Sequence, residues 1–236
     1  MRLDKLIETQ LKTSRKAMKR LFLMGHVLVD NQKEVQTNRN VDSQLHQITV
    51  KQQTLQTQEV YYLLNKPQGV VTANSDQEHQ TVTDLLPENQ RDVYAVGRLD
   101  RDTTGLIFLT SNGQLGYELL HPSRKVVKIY QATINDIVTA EDIKAFAKGI
   151  VFIGGVTCQP AKLEILQIQG SVSQVQLTIQ EGKFHQVKKM FLARGKKVLQ
   201  LKRIQLGPLV LPSELEEGAY RELTPAELET LRPYFR

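Results

Sequence analysis

Val96-Gly97-Arg98-Leu99-Asp100-Arg101-Asp102-Thr103-Thr104-Gly105-Leu106-Ile107-Phe108-Leu109-Thr110-Ser111-Asn112-Gly113 sets a dense polar loop beside an apolar run. Tyr94 to Val96 precedes the loop and Leu106 to Leu109 follows it, both short and β-prone, so each predicts a buried strand. Between them lie the carboxylates Asp100 and Asp102 and the guanidinium groups Arg98 and Arg101, at a strand end where binding and catalytic residues tend to sit. An isolated loop of this kind is more often a charged turn whose acids bond the backbone. Its meaning therefore depends on the rest of the chain.

A length of 236 residues accommodates one large or two unequal domains. No window carries the long uncharged apolar run needed to cross a bilayer, and the start Met1-Arg2-Leu3-Asp4-Lys5 lacks the apolar core of a signal peptide. Cys158 is the only cysteine, which excludes an internal disulfide or a cysteine-based metal cluster and makes a small, partly buried thiol. A cytoplasmic protein is expected. The net charge of +6 is uneven: residues 1–57 hold ten Lys or Arg against five Asp or Glu, the remainder 21 against 20. A basic module attached to a nearly neutral body suits a polyanion such as nucleic acid, although a solvated basic helix has the same composition.

Leu3, Leu6 and Ile7 have helical spacing. A second helix starts at Thr13 or Ser14, which are good caps, and ends before Gly25. Met18, Leu21 and Phe22 form its core stripe, while Arg15, Lys16, Lys19 and Arg20 crowd the other side, where phosphates would dock. His26 to Asn31 predicts a strand and turn, and Leu45 to Val50 a returning strand. Residues 51–59 are polar and aperiodic, as in a linker. The boundaries that follow are 1–57 and 58–236.

In the second part, Val60 to Leu64 predicts a strand leading into Asn65-Lys66-Pro67-Gln68-Gly69, a sharp turn that holds Lys66 at a strand end. Further strands are expected at Val70–Thr72, Lys125–Ile134, Ile150–Ile153, Leu163–Ile168, around Val175–Ile179, and at Val198–Leu206. Helical pieces are expected at Thr81–Leu86, Gly113–Leu120, after Thr139 up to Gly149, from Glu181 to about Gly195, and after the Thr224-Pro225-Ala226-Glu227 cap. Many strands and few helices, without βαβ alternation, make this an α+β chain with a mixed, mainly antiparallel second domain. Neither a phosphate-binding glycine loop, nor paired histidines at metal-ligand spacing, nor a nucleophile elbow is present.

Arg2-Leu3-Asp4-Lys5-Leu6, Ser14-Arg15, Arg20-Leu21 and Gly25 to Asp30 resemble the S4 RNA-binding module, with Asp30-Asn31-Gln32 where members often have an Asn-Gly turn. The blocks Asn65 to Gly69, Gly97 to Leu106, Lys128-Ile129-Tyr130 and Glu181 to Phe191 follow in the order found in pseudouridine synthases. The pattern is most similar to the RsuA branch, which carries an S4 module. That resemblance implies isomerisation of a uridine in RNA without cofactor or metal. Asp100 matches the catalytic aspartate, Tyr130 the aromatic that stacks on the target base, and Lys188 the basic residue paired with the aspartate. Many relatives have arginine at that last position, so a point charge replaces a fork. Arg98 is expected at the backbone of the flipped nucleotide, and Lys66 either touches phosphate or caps its turn. Asp102, Thr103 and Thr104 hold the loop.

The substrate implied is small-subunit (16S) ribosomal RNA, either free or in an assembly intermediate, acted on by a monomer. The alternatives are large-subunit (23S) rRNA, a catalytically inactive ribosome-assembly factor, and a magnesium-dependent nucleic-acid hydrolase using Asp100 and Asp102.

Overall fold

The computed structural model describes residues 1–235. The first elements are α1 (Leu3–Leu11), α2 (Arg15–Leu23), β1 (Val27–Val29), β2 (Gln32–Lys33), β3 (Ile48–Val50) and β4 (Gln53–Thr54). Ser14 caps α2 by accepting the Ala17 N–H. Asp30 and Asn31 both adopt positive φ, 52° and 63°, which short polar side chains tolerate, and this closes the β1–β2 hairpin without the glycine common in such turns. The strands form a sheet of order β2-β1-β3-β4. Leu3, Ile7, Met18, Phe22, Val27 and Ile48 belong to a core enclosed by these elements, an arrangement consistent with the S4-like module. Residues 51–59 depart from the linker expected: Lys51 and Gln52 turn at positive φ, and Gln53–Thr54 pairs back on β3.

The remaining elements are β5 (Tyr61–Lys66), β6 (Tyr94–Val96), β7 (Thr104–Thr110), α3 (Gly113–Leu120), β8 (Lys128–Ile134), α4 (Ala140–Lys148), β9 (Lys162–Gln169), β10 (Val172–Ile179), α5 (Gln186–Leu192), β11 (Val198–Leu206), β12 (Leu209–Val210), β13 (Tyr220–Glu222) and α6 (Pro225–Thr230). Their sheet runs β13-β5-β7-β11-β8-β10-β9, with β6 paired to β7 and β12 to β11. The β11–β7 pairing is parallel and the others are antiparallel, so the mixed, mainly antiparallel α+β expectation holds. Alternation along β5 and β7 divides the core. Tyr62, Leu64, Ile107 and Leu109 face the side covered by α4 and α5, where the Phe146 and Phe191 rings meet at 4.9 Å. Tyr61, Leu63, Leu106 and Phe108 face the side covered by α3 and α6.

Four local expectations change. Val70–Thr72 makes only a single bridge, Val71 to Thr81, because the Thr72 hydroxyl turns instead to Leu99, accepting its N–H at 3.1 Å and donating to its carbonyl at 2.9 Å. Thr81–Leu86 forms separate turns whose N–H groups bond three residues back, and Ile150–Ile153 retains one bridge, Val151 to Thr157. The helix expected from Glu181 starts at Gln186, since the Gln186 side chain accepts the Lys183 N–H and folds the preceding residues into a loop.

The fold separates the two roles expected of Lys66, phosphate contact or turn cap. Its side chain is fully buried and its ammonium donates to three carbonyls: Pro67 at 3.0 Å, Arg101 at 3.2 Å and Thr103 at 2.9 Å. Burial pulls its pKa down to about 8, with the nearby Asp102 and Asp100 carboxylates opposing. All three N–H donors are taken, so Lys66 braces the polar loop from beneath and has none for a phosphate. Lys66→Met strands three carbonyls at about 1–3 kcal/mol for each unsatisfied group. Thermal denaturation is expected to show a marked loss of stability, while the salt dependence of RNA binding stays unchanged; a reduced salt slope would restore the phosphate role.

Gly105, at φ +100°, lets β7 meet β11: a Cβ there would lie 2.2 Å from the Arg203 carbonyl oxygen. Gly170, at φ +59°, has nothing within 4 Å of such a Cβ. Chemical denaturation should find Gly105→Ala destabilising by about 3 kcal/mol or more and Gly170→Ala by about 1 kcal/mol, the cost of left-handed backbone alone. Equal losses would contradict the close approach of the two strands.

Candidate active site

The polar loop leaves the sheet where β7 changes neighbour. Val96 of β6 pairs with Phe108, whereas Lys202 and Arg203 of β11 pair with Thr104 and Gly105. Residues 97–103 bridge that split. Besides Lys66 and Thr72, the Gly69 N–H holds the loop by donating to the Arg101 carbonyl at 2.8 Å, and the Thr103 N–H closes it on the Asp100 carbonyl at 3.0 Å. The Asp100 carboxylate is thereby presented on a backbone fixed at several points.

Above the loop lies a cleft of about 920 Å³ lined by Arg98, Asp100, Tyr130, Lys188 and Arg203, among others. Lys188 projects from α5 and its ammonium bridges the acids, 2.8 Å from Asp100 Oδ2 and 2.5 Å from Asp102 Oδ1. Burial alone would lower the Lys188 pKa, but its bonds to Asp100 and Asp102 outweigh this and raise it. Burial likewise favours a neutral Asp102, yet the Lys188 hydrogen bond holds its carboxyl below the ordinary value. Tyr130 of β8 lies directly across from Arg203 of β11, which puts both on one face of the sheet and on the wall of the cleft. Arg98 is exposed at the same cleft. Arg15, Lys16, Lys19 and Arg20 are exposed on α2, and none of them lines the cleft.

Two residues of this site carried no distinctive signal in the sequence. His185 sits in left-handed backbone at φ 53°, with Nε2 3.4 Å from Asp100 Oδ1. Asp100 thus meets Lys188 on one oxygen and His185 on the other. The Phe-His dipeptide was visible, but it was expected inside the helix starting at Glu181, and its left-handed turn was not foreseen. Arg203 is buried, donates through Nε to the Leu106 carbonyl at 2.8 Å, and its second terminal nitrogen has no partner among the described residues. It reads as one more cation on an alternating strand. Cys158 is buried, which pushes its thiol up to about 11 and leaves it unsuited to nucleophilic chemistry.

No group of three or more His, Cys, Asp or Glu side chains able to hold a metal ion occurs among the described residues. The Lys188 ammonium itself occupies the position between Asp100 and Asp102 that a divalent cation would need. No helix among the described residues is long and apolar enough to cross a membrane.

A family model described as RNA pseudouridylate synthase matches residues 60–193. A Bacillus subtilis (strain 168) protein named uncharacterized RNA pseudouridine synthase YtzG is 40% identical over 98% of this chain and 98% of its own. Ribosomal small subunit pseudouridine synthase A of Escherichia coli (strain K12) is 37% identical over 98% of this chain and 100% of its own. Among solved structures, a crystal structure of a pseudouridylate synthase matches with a TM-score of 0.69 at 36% identity, covering 98% of this chain and 99% of that one. By the match to its family model and by these relatives over nearly its whole length, the chain belongs to the RNA pseudouridylate synthase family.

Proposed function

We propose that the protein converts a specific uridine of small-subunit (16S) ribosomal RNA to pseudouridine, with Asp100 as the reactive group. The observation that carries this is the meeting of Asp100 with Lys188, 88 positions later, in a cleft that also takes Tyr130. The small-subunit substrate rests on full-length similarity to proteins named ribosomal small subunit pseudouridine synthase A.

In the reaction the bond between uracil N1 and ribose C1′ breaks, the base turns, and C5 bonds to C1′; a proton leaves C5 and one is gained at N1. A carboxylate serves by attacking sugar or base, by stabilising positive charge at C1′, or by accepting the C5 proton. Lys188 orients that carboxylate, Tyr130 stacks on the base, and Arg98 contacts the backbone of the extruded nucleotide. Extrusion costs a few kcal/mol of unstacking. Residues 1–57, through the exposed Arg15, Lys16, Lys19 and Arg20, offset it by holding the RNA elsewhere, so that the second encounter is intramolecular. Residues 58–236 then contain the chemistry. The working form is a monomer in the cytoplasm, and its substrate is rRNA either free or in an assembling small subunit. The magnesium-hydrolase alternative is disfavoured by the shared ammonium between its two acids.

The test is to map pseudouridine in ribosomal RNA from cells with and without the gene, complemented by wild type or by Asp100→Asn. One position in 16S rRNA is expected to lose its modification without the gene, regain it with wild type, and stay unmodified with the variant, which still binds the RNA within about twofold in affinity. A loss confined to 23S rRNA would move the substrate to the large subunit. Unchanged maps of both RNAs would remove the enzymatic role, and restoration by Asp100→Asn would remove Asp100 from the chemistry.

A further inference from the structure

Phe184 has no part in the chemistry assigned to Asp100, Lys188 and Tyr130, yet it lines the same cleft with 74% of its surface exposed. The ring is not loose. It stacks on the His185 imidazole with centroids 3.7 Å apart and planes 23° from parallel, and the Lys189 ammonium lies 4.9 Å from its centroid. The backbone presenting the pair is fixed on both sides. The Gln186 side chain accepts the Lys183 N–H at 2.8 Å and donates to Glu181 Oε1 at 2.7 Å, while Glu181 also accepts the Gln159 N–H at 2.9 Å. His185 itself adopts left-handed backbone at φ 53°, a region in which His is enriched among non-glycine residues.

A single exposed apolar ring needs no explanation on most surfaces. This one differs in three respects: it is backed by a second ring, it borders a cleft carrying Arg98 and Lys188, and a cation lies over it. An unpaired nucleobase matches that combination. Every base offers a π face to an aromatic ring, and the phosphate attached to it matches the nearby ammonium. An apolar peptide would gain nothing from the charges.

We propose that Phe184, backed by His185, is a stacking subsite for the unpaired nucleobase next to the uridine that enters the cleft. This rests on the function proposed above. Extruding a uridine uncovers a face of its neighbour; Phe184 covers that face and so stabilises the opened RNA. Because His185 also touches Asp100 Oδ1, the base seats one residue away from the reacting carboxylate.

The test uses the full chain and the 16S rRNA fragment containing the converted uridine, in four forms: intact, abasic at the 5′ neighbour, abasic at the 3′ neighbour, and abasic at a distant control position. Phe184→Ala is expected to raise KM and Kd roughly 5- to 150-fold on intact RNA, the range of one base–aromatic stack. Phe184→Trp should restore both and Phe184→Leu should not. The slope of affinity against salt should stay unchanged, because no phosphate contact is removed. Removing the base at one neighbouring position should cost the wild type the same factor and Phe184→Ala nothing further. An unchanged KM and Kd for Phe184→Ala, or equal sensitivity of wild type and variant to both neighbouring abasic sites, would overturn the subsite. A fall in melting temperature that Phe184→Trp fails to reverse would also overturn it, in favour of a structural role. Wild type that converts no uridine in any rRNA contradicts the function proposed above, whereas active wild type beside an unaffected Phe184→Ala contradicts the subsite alone.

Discussion

One ammonium holds this site together. Lys188 lies between Asp100 and Asp102 and ties α5 to the loop between β6 and β7. The Lys188 and Asp100 side chains are 27% and 28% exposed, so the pair belongs neither to the surface, where such bridges are worth about 0–1 kcal/mol, nor to the interior, where desolvation rivals attraction. Its consequence is chiefly geometric. The loop is already fixed from beneath by Lys66, Thr72 and Gly69, which bond its backbone and leave its carboxylates free. Lys188 then fixes the carboxylate that the backbone cannot.

The sheet explains why residues so distant in sequence meet here. β7 pairs with β6 over one stretch and with β11 over another, and the loop crosses the gap between them. β11 carries β8 as its other neighbour, which brings Tyr130 and Arg203 to one face, and Val187, Met190 and Phe191 bury α5 on that face so that Lys188 reaches the loop. Gly105 is where the arrangement has least tolerance, since β7 must pass the Arg203 backbone closer than any side chain allows.

Much of this was legible in the sequence wherever a local rule had no competitor. Ser14, Thr139 and Thr224 cap their helices as their types dictate, and Val198–Leu206 forms its strand end to end. Expectations failed where a side chain drew the backbone away from its own propensity. Val70–Thr72 is β-prone, yet Thr72 bonds Leu99; residues 181–185 look helical, yet Gln186 and Glu181 organise them as a loop. Lys66 shows the limit most plainly. A lysine at a strand end reads equally as a phosphate contact or as the cap of its turn, and only the folded loop supplies the carbonyls that bury it. Asp100, Lys188 and Tyr130 were named from their motif blocks, but no spacing in the chain states that Lys188 would divide itself between two acids or that His185 would take the remaining oxygen of Asp100.

The role proposed for Lys188 is to orient Asp100 for chemistry, and single-turnover pseudouridine formation at saturating RNA tests this most directly. Lys188→Met is expected to slow that step by roughly 100-fold or more, the scale for losing one preorganised charged donor, while RNA affinity changes less than about twofold and Lys188→Arg recovers most of the rate. Near-wild-type turnover by Lys188→Met, or a loss that appears only in RNA affinity, would contradict it.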